Sequence, residues 1–573
     1  MSFEYDDIQS LAVSLPEDIE KRKWAGDFDG AIALCRSWIA NEKVPEILKK
    51  KLAIEVEILK EMPLEYPYTR EEVIAEIRES VPDFTEEEFT KLLYESRIDF
   101  IFIKGVEHYH EDCVSTLFHV NKDLIERRAK NEISKSTDGI SSEKTDGRTG
   151  TARTETTQTG TVQISAGKTD VGSGIEPEQT KSKEDIAFDE IRAKMIKDGS
   201  ATVRFRLRAE CKISDEAFTK GHVKVYFPIP GLCPQTHGMK IIDGTAYSCA
   251  DNTDKILGGS EGSCDQTECR CTIAPVDAAQ RTICFEEDMK ENHPFFVEYE
   301  YLCKADYIPL YDEVGQDDSS RLCGDIRETS YPSSGNAAAV SYAEAQGFRD
   351  PGCDEPMDKD HLDDFYKNVY EEDLAEYPPH ILFTPFMEAL EAEITKGLHG
   401  DLEKARAIYD YVTMNVEYSY MRSYFTIENL SEIAAIGRKG DCGIQALMFM
   451  TLARIAGIPT RWQSGLDTNP YDTGSHDWAM AYLKPYGWVF IDPSFGGGAY
   501  RNGHEKERQF YFGNLDPFRT PCNREFQRDF EPAAKFLRLD PYDNQSAEAE
   551  YDDRKLSRDD LTIRRSVVDY ECL

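Results

Sequence analysis

The chain of 573 residues has no uninterrupted apolar run approaching ~18 residues, so an ordinary membrane-spanning helix is not expected. Its opening stretch, MSFEYDDIQSLAVSLPEDIE, lacks a basic segment, an apolar segment and a small-residue cleavage site, and the expected location is cytoplasmic. Positive charge is scarce: 67 Lys and Arg stand against 107 Asp and Glu, a formal net charge of −40. Such a surface repels phosphate backbones and anionic head groups, which argues against a nucleic-acid or membrane partner. A closed disulfide framework is missing as well, because the 15 cysteines are an odd number scattered along a long chain.

What is present fills several domains, since one compact unit takes roughly 150 residues. Residues 1–130 read as a helical unit: Phe28, Ala31, Ile32, Cys35, Trp38 and Ile39 keep one helical face. Thr69 with Glu72 and Thr85 with Glu88 have the spacing of capping boxes, and Phe100–Ile103 and Val106–His110 flank Lys104-Gly105 like a short hairpin. The order helix, helix, hairpin is winged-helix-like. A DNA-reading role is disfavoured because the second helix opens with Glu86, Glu87 and Glu88, and the preferred role is packing or contact with a partner protein. Residues 131–184 are rich in Thr, Ser, Gly, Lys and Glu, as a flexible linker is. Alternation with period two at Val203/Phe205/Leu207, Val223/Val225/Phe227 and Phe295/Val297/Tyr299 predicts a β-sandwich at 185–315. A connection at 316–359, an α+β core at 360–520 and an acidic extension at 521–573 complete the division.

The chemistry concentrates in the core. A helix is predicted from about Cys442 to Ala456, stopped by Gly457 and Pro459, so Cys442 sits at its N-terminus. There the unpaired N–H groups and the helix dipole favour thiolate over thiol. A thiolate nucleophile needs a base and the base an orienter, and His476 and Asp492 fall on strand-like segments joined by the turn Pro485-Tyr486-Gly487. A plain hairpin does not set these two residues directly opposite each other, so side-chain reach is needed to join them.

The string Gly440-Asp441-Cys442-Gly443, then LARIAGIPTRW, His476-Asp477-Trp478 and Trp488-Val489-Phe490-Ile491-Asp492-Pro493-Ser494 resembles the transglutaminase-like superfamily. IAPVDAAQRTICFEE and FGNLDPFR look similar to bacterial multidomain members. The resemblance implies a papain-like α+β core with Cys442 as nucleophile, His476 as base and then acid, and Asp492 as orienter. It implies attack on a peptide or side-chain amide through a thioester, with water as the default acceptor. A primary amine in its place makes the enzyme a protein-glutamine transamidase, a glycosylated amide makes it an N-glycanase-like amidase, and a binding scaffold is the non-catalytic alternative. The Cys442 N–H would hold the oxyanion with a second donor, for which Tyr418, Tyr420 and Tyr424 are candidates. Trp462, Trp478 and Trp488 either wall an acyl-donor channel or are ordinary aromatic core, the second being preferred.

No calcium-loop motif occurs. Cys249, Cys264, Cys269 and Cys271 lack the close pairing of a zinc knuckle and read as plain thiols, so neither metal nor cofactor is expected.

Overall fold

The computed structural model describes residues 5–138, 182–245, 269–310 and 364–573. The expected connection at 316–359, most of the linker and two of the four clustered thiols, Cys249 and Cys264, lie outside them.

The N-terminal part is helical where the apolar period is helical: α1 (Glu17–Trp24), α2 (Phe28–Ile39), α3 (Glu46–Glu61), α4 (Arg70–Ser80) and α5 (Glu86–Tyr94). Both capping boxes form. The Thr69 N–H donates to Glu72 Oε2 at 2.7 Å and the Thr85 N–H to Glu88 Oε2 at 2.8 Å, each Thr hydroxyl accepting in return. Strands β1 (Phe100–Ile103) and β2 (Val106–Tyr109) pair antiparallel, with Lys104 and Gly105 both at positive φ, as a two-residue hairpin of primed type requires. Two more helices follow, α6 (Cys113–Val120) and α7 (Lys122–Asp138).

After α8 (Lys183–Asp198) come β3 (Ser200–Ile213), β4 (Gly221–Pro228), β5 (Thr236–Gly244), β6 (Arg270–Ile273), β7 (Thr282–Met289) and β8 (Phe295–Asp306). They lie in two four-stranded sheets that share one apolar cluster, including Val203, Phe205, Val225, Phe227, Phe285 and Val297.

The next part alternates helices and strands: α9 (Pro385–Ile394), α10 (Asp401–Asn415), β9 (Glu417–Tyr418), α11 (Leu430–Gly437), β10 (Lys439–Gly440) and α12 (Cys442–Ile455). It continues with β11 (Thr460–Thr468), β12 (Thr473–Leu483), β13 (Gly487–Ile491), α13 (Pro493–Arg501), α14 (Glu505–Phe510), β14 (Phe512–Gly513) and β15 (Arg519–Asn523). Five strands form one sheet in the order β14-β13-β12-β11-β15. Every residue of α12 from Cys442 to Arg454 is buried, which is why its sequence is apolar on all sides rather than along one stripe.

The last two strands, β16 (Glu548–Tyr551) and β17 (Leu561–Cys572), return to the first pair of sheets: β16 lies on β4 and β17 on β3. The 521–573 extension thus contains two strands that its sequence disguises. Glu548 and Glu550 are buried in β16 because they accept backbone N–H groups of Leu539, Lys535 and Phe536, and Arg565 breaks the apolar alternation of β17. No helix among the described residues is long and apolar enough to cross a membrane.

Candidate active site

Three elements converge on the site. The first is the start of α12. Asp441 precedes it as N-cap, accepting the Ile444 N–H at 3.1 Å, and Tyr424 donates to the same carboxyl oxygen at 2.5 Å. Cys442 is the first helical residue. Gly443 follows because a Cβ there would lie 2.3 Å from the Tyr424 hydroxyl and 2.7 Å from Asp477 Oδ2, which leaves room for hydrogen alone.

The second element is the β12–β13 hairpin. Its register runs from Leu483↔Gly487 to Ala479↔Ile491, and continuing it one step sets Asp492 opposite Trp478. His476 is then the diagonal neighbour of Asp492 on one face, within side-chain reach. The contact forms: His476 Nε2 and Asp492 Oδ2 are 2.7 Å apart, both residues buried. Among the described residues Nδ1 of His476 has no hydrogen-bond partner. The Phe495 N–H donates to Asp492 Oδ1 at 2.9 Å, so Asp492 also caps α13 and its carboxylate is held on two sides.

The third element is a residue that sequence reasoning missed. Arg519, fully buried at the start of β15, donates to Asp492 at 3.4 Å, Asp516 at 3.1 Å and Asp467 at 3.2 Å, and its guanidinium lies over the Phe495 ring at 4.5 Å. Its signal was the string FGNLDPFR, which holds both Asp516 and Arg519. Burial pushes the Asp492 carboxyl up, but His476, Arg519 and the Phe495 N–H outweigh it and leave it below the ordinary carboxylate value.

The thiol side differs from the expectation. Cys442 Sγ donates to Asp477 Oδ2 at 3.3 Å, and no hydrogen bond joins Cys442 to His476 among the described residues. His476 and Asp477 are consecutive on a strand and point to opposite faces. His476 packs against Phe495 at 4.7 Å and Trp478 at 5.8 Å, whereas Asp477 shares the face of Ala479 and Ala481, which pack with α12. Burial pushes the Cys442 thiol well up, with the Asp477 and Asp441 carboxyls adding to it. The helix terminus that favours thiolate is therefore outweighed by desolvation and two like charges. Strand alternation was the signal that could have found Asp477.

The aromatic residues fall into separate settings. Trp478, fully buried, donates Nε1–H to Gln463 Oε1 at 2.7 Å beside His476. Trp462 donates to Ser464 at 3.0 Å on the opposite face and packs on Phe526, while Trp488 lies under the Arg461 guanidinium and donates to the Asn368 carbonyl. Only Trp478 therefore adjoins His476. Tyr418, Tyr420 and Tyr424 all lie within electrostatic reach of Cys442. The segment carrying them is gripped by the N-terminal unit: the Tyr420 N–H donates to Thr116 Oγ1 at 3.2 Å, the Ser423 N–H to Glu65 at 2.7 Å, and His119 packs on Tyr418 at 4.8 Å. Among the described residues no group of three or more His, Cys, Asp or Glu could hold a metal ion.

The chain carries a transglutaminase-like core in its helix-and-sheet part. Residues 388–493, which span Cys442, His476 and Asp492, match the transglutaminase-like superfamily. A stretch of 129 residues is 23% identical to the uncharacterized protein YebA of Bacillus subtilis, covering 19% of this chain and 17% of that relative's length. Among solved structures, one described as a "Putative Cysteine Protease" from Cytophaga hutchinsonii is 12% identical, with a TM-score of 0.31 over 65% of this chain and 91% of its own. The periplasmic domain of TgpA from Pseudomonas aeruginosa is also 12% identical, with a TM-score of 0.22 over 54% of this chain and 93% of its own.

Proposed function

We propose that this protein is a thiol-dependent acyl-transfer enzyme acting on a peptide or protein amide. The observation that carries the reading is the buried His476–Asp492 contact of 2.7 Å, on the strand whose next residue, Asp477, meets Cys442 at the start of α12. In the proposed cycle His476 Nδ1 takes the thiol proton, and the Cys442 sulfur attacks the amide carbonyl while the carbonyl electron pair moves to oxygen. The tetrahedral centre collapses to a thioester as His476 returns the proton to the leaving amine or ammonia. Water activated by the same imidazole then releases the acid. Asp492 holds the ring through Nε2 and stabilises its charged form, as the third member of a triad does. The Cys442 N–H, free of the Asp441 cap, is the first oxyanion donor.

Hydrolysis is favoured over transfer because water is always available as an acceptor, and no amine-binding feature is read among the described residues. The helix–helix–hairpin unit, winged-helix-like in order, and the sandwich-like sheets are read as presenting substrate or a partner protein, and the location is read as cytoplasmic. The experiment is a peptide-library digest with the natural chain and with Cys442→Ala, with and without a labelled primary amine. Cys442-dependent cleavage supports the reading, Cys442-dependent label incorporation moves it to transamidation, and equal products from both chains reject it in favour of a scaffold.

A further inference from the structure

The thiol is held by a residue that the proposed cycle does not use. Cys442 Sγ donates to Asp477 Oδ2 at 3.3 Å. Asp477 is itself pinned: it is 2% exposed and Gln545 Nε2 donates to its Oδ1. His476, one residue earlier, leaves β12 on the opposite face and is engaged through Nε2 with Asp492. The thiol is therefore paired with the carboxylate and not with the imidazole. We infer that, granted the nucleophilic role proposed above, Asp477 is a positioning residue that keeps the Cys442 thiol in a resting arrangement apart from His476, which a bound acyl donor must break before the sulfur attacks.

The surrounding charges act in the same direction. A carboxylate that accepts S–H stabilises the neutral thiol, because a thiolate in its place would make a like-charge pair at hydrogen-bond distance. The groups facing the pair are Asp441 and Tyr424 at the start of α12, Asp540 and Asp543 on the C-terminal side, Tyr418, and His476 on β12 itself; His476 alone among them can be cationic. Breaking the contact transfers no proton to Asp477. The S–H proton passes to His476 and the sulfur lone pair forms the S–C bond, so Asp477 acts on orientation and readiness rather than as a reactant.

The test is the rate at which iodoacetamide alkylates Cys442, located by peptide mass spectrometry and followed from pH 5 to 10. Asp477→Asn keeps the shape and removes the charge. Its expected effect is a roughly tenfold faster alkylation at pH 7, with the inflection moved down by about one pH unit. Gln545→Ala, which unpins Asp477 without touching it, is expected to shift the inflection the same way by less. An unmoved inflection in a natively folded Asp477→Asn chain overturns the inference, and slower alkylation overturns it by making Asp477 the base. Should Asp477→Asn not fold, an unmoved inflection in Gln545→Ala is the overturning result. Alkylation needs no substrate, so it is independent of amide turnover. If Cys442→Ala keeps full turnover the acyl-transfer reading fails, whatever the alkylation profile of Asp477→Asn.

Discussion

On the His476 side of β12 the buried carboxylates share a cation. Arg519 touches Asp492, Asp516 and Asp467, and Asp492, which also meets His476, ends below the ordinary carboxylate range although burial alone would raise it. On the Cys442 side no Lys or Arg hydrogen-bonds the carboxyl groups of Asp441, Asp477 or Asp543 among the described residues, and burial pushes Asp441 up to about 7 and Asp477 up to about 6. One strand thus separates a charge-compensated pocket, suited to holding an imidazole steady, from an uncompensated one that holds protons. Burial raises carboxyls on both sides, Asp467 to about 6 even beside Arg519; the rise is reversed at Asp492, where His476 and the Phe495 N–H join the guanidinium.

The largest effects should come from the reacting atoms. Removing the sulfur with Cys442→Ala is expected to lower kcat/KM for the amide substrate about 10⁴-fold or more, and Asp492→Asn by roughly 10²- to 10⁴-fold, in steady-state assays. A loss confined to Cys442→Ala would detach the compensated pocket from the chemistry. Next comes Arg519→Met, which leaves three buried carboxylates without their cation. Urea unfolding at pH 7 is expected to show a cost of about 3–5 kcal/mol, and a cost under about 1 kcal/mol would break the contrast between the pockets.

The smallest effect belongs to the uncompensated side. Because the Asp441 carboxyl is raised when folded, to about 7, the native chain binds its proton more tightly than the unfolded chain does. Its contribution to stability is therefore present below about pH 4 and is lost as pH rises through about 7. Asp441→Asn keeps an N-cap oxygen and the Tyr424 contact but cannot ionise. Chemical denaturation between pH 4 and 8 is expected to show that decline flattened and the variant more stable by roughly 2 kcal/mol at pH 8.

Much of this was legible locally. The helix from Cys442 is bounded by a cap at Asp441 and by Gly457 and Pro459 after its end, and the hairpin turn lies where Pro485 and Gly487 mark it. The reach from His476 to Asp492 followed from the same turn, since a diagonal pair needs only the register. Asp477 and Arg519 were harder. Asp477 reads as no more than the sequence neighbour of His476 until strand alternation is applied, and Arg519 acts through three aspartates spread over 50 residues of sequence. Strands β16 and β17 were illegible for another reason. The buried glutamates of β16 accept backbone N–H groups and half-buried Arg565 of β17 donates to the Gln545 carbonyl, so their polarity reads as solvent exposure until the partners are known.

The place of those two strands in the chain has a kinetic consequence. Ile563 of β17 pairs with Cys211 of β3, about 350 residues earlier, and Ala549 of β16 with Val225 of β4. During synthesis β3 and β4 each wait with an open edge while the whole transglutaminase-like core emerges between them and their partners. Closing loops of that length is slow, and an unpaired edge is the template on which strands of other molecules add. The core helices, rich in local contacts, fold first in such an order. The sheets close last, and the yield of native protein then depends on how well chaperones shield two strand edges until the final residues arrive.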